Sequence, residues 1–149
     1  MGDLFVTHAE IIPLTAPIEE VFQLSPTINQ LISVFPVTYT RGVHDVTRIK
    51  SRIKQDNVTF EFAGFVKETV PHGQAFVWQE QEGELWEVTF TEGDIIQSEH
   101  VRKYSNNGTL FEGTVTENSA SGRLRQLKDG VVHEILPGPH EIIVPCLKH

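Results

Sequence analysis

Glu68, Glu80, His100, Arg102 and Tyr104 are the side chains here whose types suit acid–base chemistry. A histidine titrates near neutrality and can shuttle a proton. A carboxyl desolvated among aromatics keeps its proton to higher pH and can serve as acid or base. Arginine and tyrosine can stabilise an enolate or phenolate oxygen. Such a set suits proton abstraction beside a carbonyl, followed by ring closure or loss of water. That chemistry calls for no cofactor and no metal. The chain has no P-loop, GxGxxG, HExxH or Ser-centred nucleophile elbow. Its seven histidines show no ligand spacing, and the lone Cys146 offers neither a disulfide nor a cysteine zinc site.

The elements that would position these residues are mostly strands. "DLFVTHAEII", residues 3–12, reads as a strand ended by "PLTAP". Thr15 is placed to cap a helix and Pro17 to sit in its first turn. Ile18, Val21 and Phe22 share one face of that helix, and Pro26 stops it. A second short helix follows in "TINQLISVF", with Ile28, Leu31, Ile32 and Phe35 apolar, ended by Pro36. Strand signals then cover 37–43, 46–54, 58–70, 74–81, 85–91, 95–104 and 109–116. The short turns "QDN", "PHG", "EGE", "EGD" and "NNG" make these an antiparallel meander.

Turn length sets strand register. A two-residue Asn107-Gly108 loop sets Tyr104 opposite Phe111, Arg102 opposite Gly113 and His100 opposite Val115. Lys103 and Glu112 then form an opposite-charge pair on the other, wet face. Three-residue loops at "EGD", "EGE" and "PHG" align the rest. They place Phe60, Phe62, Val66, Phe76, Trp78, Trp86, Val88, Phe90, Ile96, Phe111 and Val115 on one concave face. Glu68, Glu80, His100, Arg102 and Tyr104 fall among them. One row reads Gly64, Glu80, Trp86, His100, Val115, with Glu80 and His100 roughly 10 Å apart at the backbone. A flat ligand would lie over Trp86 between them, with Trp78 stacking beside it. Gly64 and Gly113 would leave room.

Each polar residue also has an ordinary explanation. Arg102 can pair with Glu84, His100 can satisfy a neighbour, and Glu80 can reach solvent at the rim. The convergence of the whole set on one face with both tryptophans is what points to a site.

Composition bounds the partners. The 149 residues carry a net charge of −8, scattered along the chain. An acidic surface repels phosphate backbones and anionic lipid, so neither nucleic acid nor membrane is an expected partner. No apolar run reaches membrane-span length, and "MGDLFVTHAE" lacks the regions of a signal peptide. A cytoplasmic single domain over residues 1–149 is the expectation.

The order strand, "TAPIEEVFQL", second helix ending at "FP", then meander resembles the helix-grip superfamily (START-like, SRPBCC), which includes polyketide cyclases and aromatases. "FVKETVPHGQAFVWQ", 65–79, is similar to that family's middle strands. The resemblance covers about residues 4–116. It implies an α+β fold in which a curved sheet grips a long C-terminal helix over a hydrophobic cavity. It also implies either cofactor-independent cyclisation, dehydration or isomerisation, or simple carriage of a hydrophobic ligand. The helix would have to be 119–136, where Asp129 and Gly130 interrupt it.

A second resemblance is to a cupin. Gly93, His100, Arg102, Asn106 and Gly113 approach its first motif, and "GVVHEILPGPHEIIV" is similar to its second, with His140 in the ligand position. Arg102 and Asn106 stand where a cupin has His and Glu, which implies a metal-free site. An all-β cupin-like or lipocalin-like barrel is therefore the alternative fold. The two readings divide at "SGRLRQLKDGVVHEIL", 121–136. Leu124, Leu127, Val131 and Ile135 have helical spacing, whereas "KDG" and the β-branched run after it favour a hairpin. Both folds are compatible with a homodimer.

The expected activity is that of a cyclase, dehydratase or isomerase acting on a hydrophobic, carbonyl-bearing small molecule. His100, Glu80, Arg102, Tyr104 and Glu68 would be catalytic. Trp78, Trp86, Phe62, Phe76, Val88, Phe90 and Phe111 would line the substrate site. The alternative is a carrier or sensor of a hydrophobic ligand.

Overall fold

A computed structural model describes residues 5–41, 44–55, 58–68, 70–95, 100–116 and 119–143. The chain opens with β1 (Phe5–Ile11), followed by α1 (Ile18–Val21) and α2 (Pro26–Val34). Pro17, not Thr15, occupies the N-cap of α1, which is a single turn. Pro26 does not only end the first helix; it begins the second, where its missing N–H is no loss. Ser25 caps α2 by accepting from the Ile28 N–H at 3.2 Å.

The strands that follow are β2 (Thr47–Gln55), β3 (Val58–Lys67), β4 (Val70–Gln79), β5 (Glu84–Thr91), β6 (Asp94–Ile95), β7 (His100–Ser105), β8 (Thr109–Thr116), β9 (Ser119–Lys128) and β10 (Val131–Ile143). They form one antiparallel sheet in the order β1-β2-β3-β4-β5-β7-β8-β9-β10, with β6 paired to β5. Residues 37–41 form an irregular connection where the sequence reading placed a strand.

The helix-grip expectation is overturned at the C-terminal end. Residues 119–136 are not a helix but the β9–β10 hairpin, turning at Asp129 and Gly130. Both turn residues have positive φ, 53° and 76°, as a type I′ hairpin turn requires. In strands, Leu124 and Leu127 fall on opposite faces, so their helical spacing covers nothing together. The all-β alternative describes the class, but β1 and β10 do not pair among the described residues, so the meander is open.

The two faces of the sheet are covered differently. One face packs on α1 and α2. There Ile18, Phe22, Ile28, Leu31 and Ile32 meet Ala63, Phe76, Trp78, Leu85, Tyr104, Leu110 and Leu127. The other face carries Ile49, Phe60, Phe62, Val66, Ala75, Val77, Trp86, Val88, Phe90, Val101, Phe111, Val115 and Ala120. These residues are nearly all sealed from solvent, with neither described helix on their side. The sheet must therefore curl and pack this face on itself. Phe62 on β3 and Phe90 on β5 meet edge-on at 6.1 Å between ring centres. Two strand spacings on a flat sheet would be about 9.6 Å.

Glycines permit that curl. Gly113 and Gly122 stand opposite each other on β8 and β9, and a Cβ on either would collide with the neighbouring backbone. A Cβ on Gly64 would lie 2.5 Å from that of Ala75. The room expected beside Gly64 and Gly113 is thus filled by adjacent strands and is not ligand space.

Candidate functional site

Strand register decides which polar residues meet. The β7–β8 loop has three residues, not two, so Tyr104 pairs with Leu110, Arg102 with Glu112 and His100 with Thr114. That one-residue difference moves every β7 side chain relative to Phe111 and Val115. The other turns shift as well. β5 and β6 join through the two-residue loop Glu92-Gly93, and β4 and β5 through Glu80, Gln81, Glu82 and Gly83. "PHG" is inside β4, and the β3–β4 turn falls at Glu68, whose φ is 50°.

The single concave face of the sequence reading is therefore split. Phe60, Phe62, Val66, Trp86, Val88, Phe90, Phe111 and Val115 do share the self-packed face. Phe76, Trp78 and Tyr104 belong to the helix-packed face. Ile96 lies outside the described residues. Glu80 and Glu68 are exposed turn residues, not carboxyls desolvated among aromatics. Glu80 and Trp78 border an open depression of about 480 Å³ with Arg52 and Glu61. Glu68 borders another with His72 and Glu92. Phe62, Val77, Val101, Phe111 and Val115 expose no surface at all, so no water-sized hollow adjoins them. Among the described residues, packed side chains stand where the apolar substrate cavity was expected.

Three expected residues do come together. His100, Arg102 and Tyr104 alternate along β7 and face the helices with Glu87 of β5, Glu112 of β8 and Arg125 of β9. The cross-strand pairs Glu87–Arg102 and Arg102–Glu112 make a charge-alternating ladder. Arg102 Nε donates to Glu112 Oε2 at 2.7 Å, and His100 Nε2 lies 2.8 Å from the same oxygen. Arg125 Nη2 donates to Glu112 Oε1. Gln74 Nε2 donates to Glu87 Oε2 at 2.8 Å and to the Thr38 carbonyl at 2.9 Å.

The end of α2 and the chain after it cover part of this ladder. Arg102 Nη1 donates to the Pro36 carbonyl at 3.0 Å and to Tyr104 Oη at 3.1 Å. Tyr104 Oη donates to the Phe35 carbonyl at 3.1 Å. The Arg125 guanidinium stacks over the Phe35 ring, 4.6 Å from its centre. Cationic groups at a helix C-terminus also suit its dipole. Tyr104 is 0% exposed, so its hydroxyl serves the fold. The His100 side chain, 60% exposed, stands at the solvent rim.

The two carboxyls of the ladder titrate in opposite directions. Burial raises Glu87, against the Gln74 hydrogen bond and the charges of Arg102 and His100, while the Glu112 charge adds to the rise. Burial would raise Glu112 too, but hydrogen bonds from His100 and Arg102 and the charges of Arg102 and Arg125 outweigh it, and its net shift is downward. Burial pushes the Tyr104 phenol up to about 12 despite the adjacent Arg102. For Arg102, burial acts downward, and the bonds to Glu112 and Tyr104 reverse it into a net rise.

Glu87 is the residue the sequence reading missed. Its signal is an acid between Trp86 and Val88, the apolar residues of the other side of β5. Among the described residues, no group of three or more His, Cys, Asp or Glu is placed to hold a metal ion. No described helix is long and apolar enough to cross a membrane. No family model, curated protein or solved structure matches the chain.

Proposed function

We propose that the protein is a cofactor-independent acid–base enzyme acting on a carbonyl-bearing small molecule, of the cyclase, dehydratase or isomerase type. Its site is the solvent rim of the Glu87–Arg102–Glu112–His100 ladder. The observation that carries this reading is the ladder itself, Glu87 opposite Arg102 and Arg102 opposite Glu112, with His100 Nε2 2.8 Å from Glu112 Oε2; burial raises Glu87 while the groups around Glu112 lower it. Two carboxyls whose environments push their pKa values apart divide the roles of acid and base support.

With Nε2–H donating to Glu112, His100 keeps Nδ1 as the atom that takes a proton. Glu112 orients the imidazole and stabilises the imidazolium. Glu87, protonated to higher pH than an ordinary carboxyl, donates to the carbonyl oxygen as the α-proton leaves to His100. It lies one diagonal step from His100 across β5 and β7, roughly 7–8 Å. A small molecule spans that distance. Arg102 supports the developing negative charge while holding Glu112. A reducing, cytoplasmic setting fits the lone cysteine.

A second reading, binding without chemistry, is favoured by one observation. Arg102, Tyr104 and Gln74 direct hydrogen bonds at the backbone of residues 35–38, which makes them anchors of the fold. Incubation with a panel of ketones and β-dicarbonyl compounds in D₂O distinguishes the two. The enzyme reading predicts α-deuterium exchange above the buffer rate, lost in Glu87→Gln and in His100→Ala. Exchange at the buffer rate for the whole panel, or full rates in both variants, would sink it.

A further inference from the structure

We propose that Gln74 is the positioning residue of the acid–base site: its amide fixes which oxygen of Glu87 carries the transferable proton and ties that carboxyl to residues 38–40. The proposal rests on Glu87 acting as the acid. Gln74 is 8% exposed on β4. It stands diagonal to Glu87 across the β4–β5 pairing, because Gln74 pairs with Thr89 and Phe76 with Glu87. Oε1 of Gln74 accepts from the Thr40 N–H at 2.9 Å and from the Thr40 hydroxyl at 3.2 Å. Nε2 donates to the Thr38 carbonyl at 2.9 Å and to Glu87 Oε2 at 2.8 Å. A primary amide has two lone pairs and two N–H donors, so all four positions are filled. A backbone N–H can only donate, and a backbone carbonyl can only accept. Thr40 and Thr38 therefore decide which way the amide points. A flipped Gln74 would set donor on donor and acceptor on acceptor. Glu87 Oε2 thus meets an N–H, which cannot accept a proton, and the proton of the acid form sits on Oε1. Without that bond the terminal torsion of a glutamate is broad, and the proton has no fixed place.

A Gln74 that only anchored residues 38–40 would act on Glu87 by covering it. The two roles differ in sign. Burial raises the Glu87 carboxyl, and the Gln74 hydrogen bond lowers it. Losing the donor moves Glu87 up, whereas losing only the cover moves it down. Arg102 faces Glu87 from β7, with His100 and Tyr104 on the same strand and Glu112 beyond on β8. Residues 38–40 add only Tyr39, whose hydroxyl accepts from the Ile18 N–H at 2.8 Å. The sequence of α2 holds no titratable side chain. All of these charges stay in place when Gln74 is replaced.

A carboxyl ¹³C titration of the full chain tests this in Gln74→Met, which keeps the side-chain length and removes donor and acceptor. Glu87→Gln assigns the Glu87 signal. Glu87 is expected to titrate higher in Gln74→Met than in the wild type; a lower or unchanged midpoint overturns the proposal. A second measurement needs no variant to fold. In the ¹⁵N-labelled wild type, the Gln74 side-chain N–H that faces Glu87 is expected to shift with pH at the Glu87 midpoint. Its geminal partner on Thr38 is expected to shift less. Gln74 amide signals indifferent to the Glu87 titration would equally refute the positioning role. The α-deuterium exchange of the wild type is expected to fall roughly tenfold or more in Gln74→Met, and full exchange there counts against it. Exchange at the buffer rate by the wild type itself would defeat the acid–base reading, and with it the role of Gln74, whatever the two titrations show.

Discussion

The two faces of this sheet answer the same problem, how to cover an apolar surface, with different materials. One curls until Phe62, Phe90, Phe111 and Val115 cover each other, and the neighbouring glycines let the strands bend. The other is covered by two short helices and the chain after them. That cover is itself held by polar groups of the sheet: Arg102 and Tyr104 grip residues 35 and 36, and Gln74 grips 38 and 40. A self-packed face can be wholly apolar. A face that must bind the backbone of a connecting segment has to carry donors and acceptors. Once these are half-buried they shift each other's titration.

Substitutions can break or sharpen this contrast. The largest effect is expected on the self-packed face, where Phe111→Ala should cost about 3–5 kcal/mol of stability, independent of pH between neutral and mildly acidic conditions. Denaturant unfolding checks it.

Glu112→Gln comes next. It strips a half-buried carboxylate from Arg102, Arg125 and His100, and should cost about 2–3 kcal/mol at neutral pH. Its pKa is depressed in the folded chain, so the stability it contributes is present above the unfolded value. That contribution is lost as pH falls through the folded one. The deficit of the variant should accordingly shrink in acid.

Glu87→Gln should act with the opposite sign. A carboxyl raised by burial destabilises the fold as pH rises from its unfolded toward its folded pKa. The variant should therefore gain about 0.5 kcal/mol near neutral pH, a size common for such relief, while losing exchange activity. The smallest effect belongs to Glu80→Gln in its exposed turn, within about 0.5 kcal/mol at any pH. A large effect there would restore a role for Glu80.

Much of the element order was legible in the residues. The first strand, both helices, the meander and the hairpin preference of "KDG" all have local causes in proline, capping and turn chemistry. The registers were not legible, for a physical reason. Alternation fixes register only where one face is wet. Here both faces are covered and neither is wet, so a one-residue slip at "NNG" still aligns Tyr104 with a hydrophobe, Phe111 instead of Leu110. The Lys103–Glu112 pair expected on a wet face does not form: Lys103 covers Trp86, and Glu112 lies among His100, Arg102 and Arg125 on the other side. The turn at Glu68 was equally hidden, because a glutamate at positive φ carries no turn signature, whereas "PHG" does. With Glu68 and Glu80 misplaced, Glu87 was passed over, although it sits opposite Arg102.

The proposed mechanism has Glu87 as acid and Glu112 supporting His100 as base on the helix-packed face. A ¹³C titration of the glutamate side-chain carboxyls, assigned with Glu87→Gln and Glu112→Gln, tests it most directly. Glu87 is expected to titrate above the ordinary glutamate range and Glu112 below it. Glu87 is also expected to move lower in Glu112→Gln, as the negative charge two strands away is removed. Two carboxyls titrating together in the ordinary range, or in the reverse order, would contradict it.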